Sequence, residues 1–159
     1  MKIRTDFVTN SSSSSFVLAF TDEDSISNEL LKTFDEDTME YFSIVYQDIK
    51  DTEPLTKEEI IHKMREYHFW YIKYDMYMRY FSTTKRRGET PLNRREWDAL
   101  PSSQKAIQNE IDKTIKEFEE KIRGKDYIVE ISYSDHDNSE LEHGIMPHSP
   151  SCVMIFNNH

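Results

Sequence analysis

The chain has 159 residues and a formal net charge of −10, with 36% hydrophobic, 31% charged and 13% aromatic residues. That aromatic content argues against disorder, and only three glycines and five prolines interrupt regular structure. The acidity argues against a general binder of nucleic acid or anionic membrane, and Cys152, the only cysteine, excludes an internal disulfide.

The length fits a single domain over residues 1–159. No stretch approaches the roughly 18 apolar residues of a membrane span. Lys2 and Arg4 are followed at once by Asp6, and the apolar run Phe16–Phe20 is shorter than the roughly 7–15 residues of a secretory core, so a cytoplasmic protein is expected. The charge is uneven. Residues 21–60 hold thirteen acidic against three basic residues, whereas residues 61–99 hold nine basic against five acidic.

In chain order, Phe16-Val-Leu-Ala-Phe20 reads as a buried strand, and the serine tract before it reads as a loop, because serine has no apolar surface to bury and bonds its own backbone. Asp24 or Ser25 is expected to cap a short helix over residues 28–33, and Tyr41–Tyr46 is read as helix. Thr56 and Glu59 form a capping box that opens a helix about six turns long. Ile60, Met64, Tyr67, Tyr71, Tyr74, Met78 and Phe81 recur along one face at steps of four and three. Phe69, Trp70, Ile72, Met76, Tyr77 and Tyr80 thicken that face, so this helix is expected to organise the core or to lie against a second chain. Lys85–Gly88 closes it, and Thr90-Pro91 is expected to cap a short helix to Leu100. Pro101 opens an amphipathic helix with Ile107, Ile111, Ile115, Phe118 and Ile122 on one face and Gly124 as its stop. Tyr127–Tyr133 and Cys152–Phe156 have strand composition, with a polar loop expected over residues 134–151.

Three constellations could carry chemistry. The first is C-terminal: Asp135, His136, Asp137, Glu140, Glu142, His143, His148 and His159. Imidazole and carboxylate are ligands of divalent transition metals, and from this group Asp135, Asp137, Glu142, His143, His148 and His159 are taken as candidate ligands. Asp135-x-Asp137-x-Ser139 begins like a calcium loop but fails, with Glu140 at the glycine position and Met146 at the bidentate acid. The second is Asn10, Ser11, Ser12, Ser13, Ser14 and Ser15, a polar tract that could contact a ligand or be phosphorylated. The third is the aromatic helix, where Arg65, Lys73 and Arg79 alternate with Tyr and Trp as on a stacking platform for single-stranded nucleic acid. Aromatic stripes at helical spacing are usually core, and that is the reading taken.

The opening Lys2-Ile-Arg-Thr-Asp-Phe-Val-Thr-Asn-Ser-Ser-Ser-Ser-Ser-Phe-Val17 resembles the start of a widespread set of uncharacterised bacterial and phage proteins, whose usual form is Gly-Phe-Val-Ser-Asn-polySer-Phe. Here Asp6 replaces the glycine and Thr9 the serine. Asp135, Asp137, Leu141-Glu-His143 and His159 are loosely similar to the family's closing segment. The resemblance implies a shared architecture whose two ends belong together, and it implies no activity.

The expected fold is therefore α+β: a small antiparallel sheet built from both chain ends, with a helical middle packed on one face. The expected function is a non-catalytic binding or regulatory module using the serine tract and the His/Asp/Glu cluster. A metal-dependent hydrolase or transferase is the first alternative, and a protein self-associating through the aromatic helix is the second.

Overall fold

The structure, a computed structural model, describes residues 13–157. The described residues form two compact units, one from within Met1–Lys57 and Glu120–His159, the other Glu58–Glu119.

The first unit is built on a three-stranded antiparallel sheet of order β2-β1-β3, where β1 is Ser13–Phe20, β2 is Tyr127–Ser134 and β3 is Cys152–Asn157. Strands from both ends of the chain thus make the sheet, as the apolar runs implied. β1 lies between the other two, and every residue from Ser14 to Phe20 is buried. Side chains alternate across a strand, so Ser14, Phe16, Leu18 and Phe20 share one face. On that face Phe16 stands opposite Ile131 and Leu18 opposite Val129, and the core is completed by Ile26 and Leu30 of α1 (Ile26–Leu31) and Val45 and Ile49 of α2 (Phe42–Asp51). The β1–β3 register shifts between Val17 and Leu18, which face Met154 and Cys152, leaving Val153 as a bulge.

The serine tract corrects one expectation. Ser13, Ser14 and Ser15 are strand, not loop: Ser14 pairs with Tyr133 and Asn157, and Ser15 with Ser132 and Phe156. Ladder hydrogen bonds on both sides outweigh serine's preference for its own backbone, and Ser15 Oγ meets Ser132 Oγ at 2.6 Å. Asn10, Ser11 and Ser12 lie outside the described residues. The first helical turn is also capped earlier than expected. Asp22 Oδ1 accepts the Ser25 N–H at 2.9 Å and starts a 3-10 turn, Glu23–Ser25, that runs into α1.

Tyr133 Oη donates to Asp48 Oδ2 at 2.7 Å, tying β2 to α2. Burial, and then this bond, push the hydroxyl far above its ordinary value of 10.0. A proton held more tightly in the folded chain stabilises it below pH 10, and that contribution is lost as the pH rises further. Tyr133→Phe is expected to cost about 1–2 kcal/mol at neutral pH and to flatten the fall in stability above pH 10, read by urea unfolding. An equally steep fall in the variant would contradict this.

The second unit is helical. After Thr56 the chain enters α3 (Lys57–Lys63), passes through a π-helical turn (Met64–His68) and continues as α4 (Phe69–Arg86). Ile60 and Met64 are buried four residues apart, and Phe69, buried five further on, donates its N–H to Met64 O. A π turn takes in one extra residue, which rotates the downstream stripe by about 100°. Trp70, Tyr71, Tyr74 and Met78 therefore face solvent, Trp70 being 52% exposed. Tyr71, Tyr74 and Met78, three residues of the expected apolar face, are therefore not part of a core.

α4 packs half-buried Tyr77 and Tyr80 against α5 (Arg94–Asp98), whose buried Trp97 lies 5.6 Å from the Tyr77 ring and 5.8 Å from the Tyr80 ring. Tyr77 Oη donates to Leu92 O, and Leu92 N–H donates to Tyr80 Oη, both at 3.0 Å. These bonds hold the chain non-helical past Thr90-Pro91, so the helix starts later than expected, with Asn93 Oδ1 capping the Glu96 N–H at 2.9 Å. α6 (Pro101–Lys121) begins at the expected proline. Gly124, after its last turn, has φ +76°, a conformation that side chains resist.

Candidate metal centre

Residues 134–151 were expected to be a polar loop, and most of them are helical turns. Ser134 Oγ caps α7 (Asp135–Ser139), accepting the Asp137 N–H at 3.4 Å. Asn138 departs from helix with φ −146° and ψ 61°. A π-helical turn (Glu140–Ile145) and a 3-10 turn (Met146–His148) follow. The turns form because Leu141, Ile145 and Met146 are buried in the sheet's core. The Leu141/Ile145 spacing of four was the sequence signal for this, masked by the polar residues around it.

Folding Leu141 inward takes its neighbour Glu142 with it, and the Glu142 side chain has no exposed surface. Its Oε1 accepts a hydrogen bond from Ser14 Oγ at 2.9 Å, across 128 residues of sequence. Ser14 lies on the core face of β1, so the serine tract and the C-terminal cluster do meet. Glu142 Oε2 makes no hydrogen bond among the described residues. It stands 3.4 Å from His143 Nε2, and the same nitrogen contacts Asp135 Oδ1. Asp135, Glu142 and His143 thus present one imidazole nitrogen and two carboxylate oxygens within 4.8 Å of one another.

A single imidazole nitrogen carries at most one proton and cannot donate it well to two carboxylates. A divalent cation among the three groups would give each oxygen a partner and balance two negative charges. Donors bound to one ion at about 2.0–2.2 Å stand up to roughly twice that apart, so only small side-chain movements would close the site. Glu142 would sit at its floor, while Asp135 and His143, with side chains 43% and 55% exposed, would form its rim.

No protein-family model, curated protein or solved structure matches the chain.

Of the six candidate ligands, three converge. Asp137 instead faces Ser134, whose Oγ lies 3.4 Å from Asp137 Oδ2. His148 is exposed on the 3-10 turn and outside the group, and His159 lies outside the described residues. Glu140, beside the site, accepts a 2.6 Å hydrogen bond from Tyr41 Oη, which with burial raises that hydroxyl above its ordinary value. Ser14 is the one residue of the serine tract described in contact with the site. Burial pushes the Cys152 thiol up, outweighing the opposing effects of the Met154 backbone and Lys121, so it stays protonated at neutral pH. No described helix is long and apolar enough to cross a membrane.

Proposed function

We propose that this chain is a non-catalytic binding module whose ligand is a divalent transition metal ion held by Asp135, Glu142 and His143. The observation that carries the reading is the fully buried Glu142, one of whose oxygens makes no hydrogen bond among the described residues and stands 3.4 Å from an imidazole nitrogen. A buried carboxylate oxygen without a partner is costly, and natural chains keep such groups where something else binds them. One nitrogen with two oxygens suits zinc or manganese, because imidazole is a poor ligand for magnesium and calcium. Ser14 orients Glu142 from behind, as the outer partners of metal ligands do.

Calorimetric titration of chelator-stripped, untagged protein tests this. One equivalent of zinc or manganese is expected to bind with release of heat and protons, while magnesium and calcium bind far more weakly. No binding of zinc or manganese, or equal binding of all four ions, would remove the proposal.

A further inference from the structure

We propose that the second unit carries a binding face for single-stranded nucleic acid, built on Trp70, Tyr74 and the cations beside them. This is independent of the metal reading. Exposed large apolar side chains concentrate on one stretch of α4, where Trp70, Tyr71, Tyr74 and Met78 are between 37% and 52% exposed. The Trp70 and Tyr74 rings lie parallel within 5°, with centroids 5.6 Å apart. The Arg94 guanidinium sits 5.2 Å and 5.4 Å from these two centroids. Beside Trp70 opens a pocket of about 370 Å³ lined by Arg65, Glu66, Phe69, Trp70, Lys73 and Ile111. Its single acid, Glu66, is paired with His62 at 3.1 Å.

Flat exposed rings flanked by cations select a ligand that is itself flat and anionic, and successive bases on a phosphate chain fit both requirements. Charge also disfavours a second copy of the chain on the same face, because a two-fold contact would bring Arg65, Lys73 and Arg94 of both copies into one interface. The acidity of the whole chain lies elsewhere. Residues 58–119 hold twelve Lys and Arg against eleven Asp and Glu, out of 20 and 30 in all, which leaves eight against nineteen for the rest. The general argument from net charge therefore does not reach this unit.

Trp97 is buried and Trp70 exposed, so fluorescence quenching by a ligand reports on Trp70. The test uses the full chain and a labelled oligothymidylate of about twelve nucleotides, followed by anisotropy and by tryptophan quenching. Saturable binding that quenches Trp70, prefers the single strand over a duplex and weakens with salt is expected. Trp70→Ala is expected to weaken it roughly five- to a hundredfold and Trp70→Phe much less, with unchanged circular dichroism in both. Arg65→Glu combined with Lys73→Glu is expected to abolish it. Absence of binding overturns the proposal, as does binding unaffected by Trp70→Ala. A dimer in light scattering that Trp70→Ala dissolves, without oligonucleotide binding, would assign the face to a second copy and overturn it equally.

Discussion

Glu142→Gln is expected to lower zinc affinity by about a hundredfold or more while leaving the metal-free fold intact. Glutamine keeps the size of the side chain and an oxygen for Ser14 Oγ, which lies 2.9 Å from Glu142 Oε1. What it loses is the anionic donor at the floor of the site. Changing an outer partner of a metal ligand costs about 10–100-fold in affinity, so removing a donor should cost at least the upper figure. Ser14→Ala, which frees Glu142 to turn, falls in the lower part of that range. His148→Ala should change nothing, since His148 stands outside the converging group. Stability reports the same event. Zinc at a hundredfold excess over its dissociation constant stabilises the fold by about 2.7 kcal/mol, which for a chain of this size is a rise of roughly 5–10 °C in Tm. The variant should show almost none of that rise. Wild-type zinc affinity in Glu142→Gln would remove Glu142 from the site.

Phe16→Ala is expected to be the most damaging single truncation in the first unit, at about 3–5 kcal/mol in urea unfolding followed by circular dichroism. Phe16 is fully buried in the middle of the central strand, opposite Ile131 on one side and Ile155 on the other. Its ring centroid lies 6.4 Å from that of Tyr133, whose hydroxyl reaches α2. The cavity left by alanine would thus open between all three strands and the helices over them. Trp70→Ala removes a larger side chain that is half exposed and should cost under about 1 kcal/mol. The same cost for both would mean that the burial derived for β1 is wrong.

Much of the sheet was legible because its three strands are short apolar runs in a polar chain, and such runs have to pair. The antiparallel pairing of strands from both ends is what brings Ser14 to Glu142. The inclusion of Ser13–Ser15 in β1 was not legible, because composition reports serine's local preference and says nothing about neighbours on both sides. The exposure of Tyr71, Tyr74 and Met78, expected in the core or against a second chain, was not legible as exposure for a different physical reason. A stripe counted at 3.6 residues per turn assumes an unbroken helix, and the Met64–His68 π turn changes the phase at a point no composition marks. The site was half legible. Carboxylates and imidazoles crowded into a short stretch announced metal chemistry, but which three converge depends on the break at Asn138 and on the Glu140–Ile145 π turn. Both are consequences of burying Leu141, Ile145 and Met146, a tertiary event with only a faint local signal.

The metal assignment is tested most directly by diffraction from crystals grown with zinc, recorded on both sides of the zinc absorption edge. The expected result is one strong anomalous peak about 2.0–2.2 Å from Glu142 Oε2, shared with Asp135 and His143 Nε2. A peak at His136 or His148 without Glu142, or no peak at all, would contradict it.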